Sequence, residues 1–208
     1  MNLSPFDQFA EEYDRWYEEN LEVFNIEINA LKVHIPTGSY LKSLEVGVGT
    51  GRFAERLKIT YGVDPSWEMI RIAKKRGIKV IRGVAENLPF ISKSFDLVFL
   101  ITTLCFLKDP EKSLQEIKRI LKPKGLFVLG IIDRESPLGK LYEQKKNKSK
   151  YYKYANFFSA EEVINLLEKF DFKILKITQS LFESHKTENQ IKEGYGEGGF
   201  VVISAEIF

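Results

Sequence analysis

Short continuous apolar runs alternate with helically spaced apolar stripes through the middle of this chain. Residues 43–48 read as a strand, 52–57 as a short helix, and 59–63 as a strand ending at Asp64. Residues 65–76 follow as a helix carrying Trp67, Met69, Ile70, Ile72 and Ala73, closed by Gly77. The pattern then repeats. Residues 79–84 and 95–101 read as strands, the second continuously apolar as in a buried parallel strand. Asp109-Pro110 opens a helix with Leu114, Ile117, Ile120 and Leu121 on one face; Pro123-Lys124-Gly125 stops it, and residues 126–132 form another buried strand. Such alternation predicts an α/β fold with a mostly parallel, doubly wound sheet covered on both faces.

The flanks differ. Ser4-Pro5-Phe6-Asp7 is a helix start, with a capping serine, proline in the first turn and an acid at the positive end of the dipole. Phe6, Phe9, Ala10, Tyr13 and Tyr17 recur at helical spacing, and a second helix is expected over residues 21–31. Towards the other end, Ser159 and Glu162 form a capping box. Residues 171–182 and 200–208 then read as two strands joined by a polar, Gly-rich stretch, expected as an antiparallel pair at one edge of the sheet. The organisation is a single domain over residues 1–208, with a helical lid over 1–38, a core over 39–135, and a cap segment, helix and strand hairpin over 136–208.

Composition narrows the function classes. The chain is 44% apolar and 29% charged, which is globular rather than disordered. A net charge of +2 argues against a polyanion binder and against nucleic acid as a partner. The basic, aromatic stretch with Lys145, Lys146, Lys148, Lys150 and Lys153 among Tyr151, Tyr152 and Tyr154 reads as a solvated cap rather than an anion site. One cysteine, Cys105, allows no internal disulfide and neither His34 nor His185 stands at a metal-ligand spacing from it. The longest apolar run, around residues 97–107, is too short and too polar to span a membrane, and the start of the chain has no signal-peptide pattern. These features place the expected location in the cytoplasm.

The chemistry gathers at Glu45-Val46-Gly47-Val48-Gly49-Thr50-Gly51, between a strand and a helix. Glycines there allow a tight turn and close approach of backbone to a ligand. In the dinucleotide fingerprint the last glycine falls one residue later, where Arg52 stands. Glu45 would repel a pyrophosphate and suits a cationic group such as an ammonium. Asp64, ending the next strand, can accept from both ribose hydroxyls. Together these point to a nucleoside with an amino-acid tail.

With these residues, the chain resembles the class I S-adenosylmethionine-dependent methyltransferases, in particular the small-molecule branch related to ubiquinone and menaquinone methyltransferases. Gly62-Val63-Asp64-Pro65-Ser66, Val84-Ala85-Glu86-Asn87-Leu88-Pro89-Phe90, Ser94-Phe95-Asp96-Leu97-Val98 and Arg119-Ile120-Leu121-Lys122-Pro123-Lys124-Gly125 look like that family's later motifs in order, although Lys124 stands where glycine is commoner. Residues 197–203 look like its last strand. The resemblance implies a Rossmann-like sheet of seven strands, S-adenosyl-L-methionine as cofactor and a small-molecule methyl acceptor. It also implies that Gly47 and Gly49 line the methionine and ribose, Glu45 orients the ammonium and Asp64 holds the ribose. Trp67 and Met69 would pack on ribose and adenine, Ala85 and Glu86 would meet the adenine edge, Ile101 and Thr102 would offer backbone to the methionine tail, and Tyr13 and Tyr17 would lie in the lid.

Each role has a plainer competitor. Asp64 could cap the helix beginning at Pro65. Met69, Trp67, Tyr13 and Tyr17 could be ordinary packing residues, and Glu86 a surface charge. His185, in the stretch between the last two strands, is the candidate base if the acceptor is a hydroxyl. Two other functions compete: a non-catalytic cofactor-binding regulator, and a nicotinamide-dependent oxidoreductase, which the glycine spacing and Glu45 disfavour.

Overall fold

The computed structural model describes residues 4–36, 42–182 and 190–207. Five strands, β1 (Ser43–Val46), β2 (Tyr61–Asp64), β3 (Lys79–Arg82), β4 (Phe95–Ile101) and β5 (Leu121–Ile132), run parallel. Three more follow: β6 (Lys173–Ser180), β7 (Lys192–Glu193) and β8 (Phe200–Glu206). The sheet order is β3-β2-β1-β4-β5-β8-β6-β7, with β8 inserted antiparallel between β5 and β6. The sheet therefore has eight strands rather than the expected seven. The extra strand, β7, is two exposed residues pairing with the edge of β6 at Thr178 and Gln179. It carries no apolar alternation from which it could be anticipated.

Strand β4 shows why the sheet is covered on both sides. Its alternate residues point to opposite faces. Val98 and Leu100 join a core with Leu114 and Ile117 of α6 (Pro110–Ile120) and Val163 and Leu167 of α8 (Ala160–Lys169). Leu97, Phe99 and Ile101 join the other core, with Phe24, Ile28 and Leu31 of α3 (Leu21–Lys32) and Phe53 of α4 (Arg52–Leu57). Strand β5 begins earlier than its apolar run, because Leu121 leaves α6 as an extended cap and pairs with Phe95.

At the N-terminus, Ser4 accepts from the Asp7 amide as expected, but the helical stripe is broken into α1 (Pro5–Gln8) and α2 (Ala10–Glu19). The break falls at Phe9, whose carbonyl also accepts from the Tyr151 hydroxyl at 3.2 Å. The capping box of Ser159 and Glu162 is present at α8. A helix not anticipated, α7 (Pro137–Lys145), starts on Ser136, whose side chain accepts from the Gly139 amide. Ser136-Pro137 repeats the Ser4-Pro5 start signal.

The order of the sheet reverses between β1 and β4. In open α/β sheets the crevice beyond the strand ends at such a reversal is where ligands sit. Here the loops after β1 and β4 meet.

Candidate functional site

Glu45 sits in β1 and is 1% exposed. Its Oε2 has no hydrogen-bond partner among the described residues. Burial, reinforced by the neighbouring Asp64 charge, pushes its carboxyl well above the usual carboxylate range. A buried acceptor left open is costly unless a ligand fills it. The chain then turns sharply, with the Gly47 and Val48 amides both donating to the Val63 carbonyl at 2.8 and 3.0 Å. Gly47 has φ +74°, and a Cβ there would run into the Thr103 side chain. Gly49 has φ +53°, and a Cβ there would find only the Tyr13 ring, at 4.0 Å. Gly47 thus packs the two loops together, while Gly49 borders open space.

Asp64 lies beside it. Its Oδ2 accepts from the Gly49 amide at 3.0 Å and its Oδ1 from the Ser66 amide at 2.9 Å. Each oxygen keeps a lone pair for a further donor. Burial raises this carboxyl to about 6, against the pull of those two amides. The capping role weighed for Asp64 belongs instead to Ser66, which accepts from the Met69 amide at the start of α5 (Trp67–Lys75). Pro65 lies outside that helix. Ser66 in turn donates to Asp7 of α1 at 2.6 Å.

The other anticipated residues differ in burial and in partners. Tyr13 and Tyr17 share a hydrogen bond at 3.0 Å, and burial pushes both hydroxyls up. Tyr13 faces Gly49; Tyr17 packs edge-on against Phe24 and Phe53. Met69 is 1% exposed, beneath Ala10, Phe6 and Tyr13. Trp67 is 60% exposed, with the Arg82 guanidinium over its ring. Ala85 is buried among the core residues. Glu86 Oε1 accepts from the Lys108 and Asp109 amides, tying its loop to the start of α6. The Ile101 carbonyl accepts from Thr103, and Thr102, at φ 47°, donates its amide to Gly130. His185 lies outside the described residues.

Three features were missed. Thr103, which pins the β4 loop to Gly47, carries no sequence signal. Beside it, a pocket is lined by Thr102, Leu104, Cys105, Ile131, Ile132, Tyr152, Phe157 and Phe158. Burial pushes the Cys105 thiol up to about 12, so it is a protonated wall residue and not a nucleophile. The third is Glu27, on α3 and 6% exposed, with a carboxyl that burial raises to about 8. Phe24, Glu27, Ile28 and Leu31 form an apolar stripe interrupted by one acid, a signal available in the sequence. His34, by contrast, is structural: its ring nitrogens meet the hydroxyls of Ser204 and Thr178 at 2.9 and 2.8 Å on the far strands.

A methyltransferase-domain family profile matches residues 44–129, from β1 into β5. The chain is 46% identical to a crystal structure from Thermotoga maritima described as an S-adenosylmethionine-dependent methyltransferase and possible histamine N-methyltransferase. That match covers 98% of this chain and 99% of the other, at a TM-score of 0.93. The chain belongs to the S-adenosylmethionine-dependent methyltransferases. An uncharacterized protein of Methanocaldococcus jannaschii is 54% identical over 98% of this chain and 99% of its own length. A demethylmenaquinone methyltransferase of Thermotoga maritima is 33% identical over 60% of this chain and 58% of its own. The methyltransferase therefore takes S-adenosylmethionine as its cofactor, and the glycine loop at the β1–β4 reversal lies within the matched region. No helix among the described residues is long and apolar enough to cross a membrane.

Proposed function

We propose that the crevice between β1 and β4 holds S-adenosylmethionine with Glu45 at its ammonium, Gly47 and Gly49 along its methionine and ribose, and Asp64 at the ribose hydroxyls. The open Oε2 of buried Glu45 carries this reading. A cationic amino group is the partner that restores the charged form of such an acid. Asp64 fits the ribose because its two oxygens are held by backbone amides alone, with lone pairs to spare. Ile101 and Thr102 border the methionine end, and Ala85 and Glu86 the adenine. Since Glu86 Oε1 is engaged by Lys108 and Asp109, only its Oε2 is left for an adenine amino group. Met69 acts through packing under α1 and α2 rather than by contact.

When bound, the cofactor supplies an already activated methyl group, open to in-line displacement by an acceptor's lone pair. What remains for the protein is orientation and exclusion of water, which can lower a barrier by up to about 7–11 kcal/mol. Tyr13 and Tyr17 on α2 close the crevice from above, where a small organic acceptor meets the methyl group. The site needs no thiol nucleophile.

Calorimetry with S-adenosylhomocysteine tests the assignment. Asp64→Ala and Glu45→Gln are each expected to weaken binding by about 30-fold, the cost of about 2 kcal/mol for removing one partner of a buried polar contact. Unchanged affinity in both variants would refute the placement. Binding of NAD in place of S-adenosylhomocysteine would refute it outright.

A further inference from the structure

Helix α1 is a single turn of four residues, none of them buried. A helix that short does not hold itself together in water, so its place is set by what it touches. On one side Asp7 Oδ1 accepts from the Ser66 hydroxyl at 2.6 Å, and its Oδ2 from the Ser4 hydroxyl at 2.8 Å. Although partial burial works the other way, these two hydroxyls hold the Asp7 carboxyl below its ordinary value. Ser66 is buried, and its own amide donates to Asp64 Oδ1 at 2.9 Å. One residue therefore joins the carboxylate placed at the ribose to the carboxylate of α1. On the other side, three elements hold the Phe6 ring. It meets Phe106, in the turn after β4, edge-on at 5.1 Å and Tyr13 of α2 edge-on at 5.8 Å, and it stacks on Tyr151 of the cap segment at 5.7 Å. The cap segment also grips the break after α1. Tyr151 donates to the Phe9 carbonyl, and the Lys150 ammonium lies 4.7 Å from the centre of the Phe9 ring while pairing with Glu12 of α2 at 2.7 Å. Tyr13, packed under Phe6, is the ring that faces Gly49.

We propose that α1 is a latch linked to the cofactor: Asp7 hooks it to Ser66 beside the ribose carboxylate, Phe6 wedges it between the cap segment and the loop after β4, and latch closure and cofactor binding strengthen each other. The inference rests on the placement of the ribose at Asp64 argued above. A ribose held by Asp64 steadies the Ser66 amide, and with it the hydroxyl on which α1 docks. A docked α1 in turn keeps Ser66 and Asp64 in place and holds Tyr13 over Gly49, so a cofactor lying along that loop leaves only when the latch lifts. Asp7, Ser66 and Phe6 are thus positioning residues. The coupling runs both ways by necessity: whatever closure does for cofactor affinity, the cofactor does for closure.

Amide exchange and binding kinetics with S-adenosylhomocysteine test the latch from both ends. The Asp7, Gln8 and Phe9 amides donate to the Ser4 and Pro5 carbonyls, and in the wild-type protein saturating ligand is expected to slow their exchange by about tenfold or more. Asp7→Ala and Phe6→Ala are each expected to release the ligand about tenfold faster, with association no slower. The two substitutions break different contacts, so the test stands if either variant folds poorly. Reciprocity adds a readout that a merely structural role would not move. The factor by which the ligand protects α1 in the wild-type protein should match, within about threefold, the factor by which unlatching weakens binding. The proposal is overturned if the ligand leaves exchange in α1 unchanged, or if both variants release it at the wild-type rate. If Asp64→Ala binds S-adenosylhomocysteine as the wild-type protein does, the ribose placement fails instead, and this inference with it.

Discussion

At the scale of single residues, burial decides the role of each polar group, and His34 shows it most simply. Its ring bridges hydroxyls on β8 and β6, and burial, with Lys176 nearby, lowers its pKa to about 4 from the ordinary 6.5. Between those values the unfolded chain binds a proton that the folded protein refuses. Its contribution is therefore complete at neutral pH and is lost as pH falls through 6.5 towards 4. The expected consequence is a stability advantage over His34→Asn that shrinks by about 1.4 kcal/mol per pH unit in that window. Urea unfolding of both proteins at pH 7, 6, 5 and 4 reads this directly; a constant difference between them would contradict it.

At the scale of elements, helix α2 is fastened to the end of the cofactor loop by charge. Asp14 of α2 accepts from Arg52, the first residue of α4, at 2.8 and 2.7 Å, and from Arg76 behind α5 at 2.9 Å. These three side chains are about 15% exposed, so the network is better shielded than a surface pair. Asp14→Asn is expected to cost about 1–3 kcal/mol in stability and to speed amide exchange across residues 10–19. S-adenosylhomocysteine binding should weaken by about three- to tenfold if α2 closes the crevice. Faster exchange with unchanged affinity would leave α2 a scaffold helix and remove it from the site. The same scale shows what could be read in the sequence. The parallel strands and their helices were legible because buried strands leave unbroken apolar runs between capped helices. The glycine loop and Asp64 were legible because backbone conformation and strand ends constrain residue type there. Strand β7 was not, since it exists only through backbone pairing to an edge. Helix α7 was hidden among lysines despite its Ser-Pro start, and Thr103 matters only through a contact spanning 56 residues. Glu27 was legible in principle, as the one acid on the stripe of α3.

At the scale of the whole molecule, buried acids work against the fold. Glu27 is raised to about 8 from an ordinary 4.5, and Glu45 is pushed well above 4.5, both by burial. Above pH 4.5 the unfolded chain releases these protons while the folded protein retains them. Each acid therefore stabilises the fold below that value and loses its contribution as pH rises, Glu27 by about pH 8. Below pH 6.5 the opposite slope from His34 offsets part of the effect; above it, His34 is neutral in both states and no longer opposes the acids. The ligand-free protein is thus expected to become less stable between pH 6.5 and 8, with a slope of at most about 1.4 kcal/mol per pH unit for each acid. Glu27→Gln and Glu45→Gln should each flatten that slope and raise stability at pH 8. Saturating S-adenosylmethionine should flatten it too, because its ammonium favours the ionised form of Glu45 and so ties proton release to binding. Denaturant midpoints for the three proteins at pH 6.5, 7.25 and 8, with and without cofactor, decide the matter. A slope that both variants leave intact would place the pH dependence elsewhere and strip Glu45 of the cost that marks it as functional.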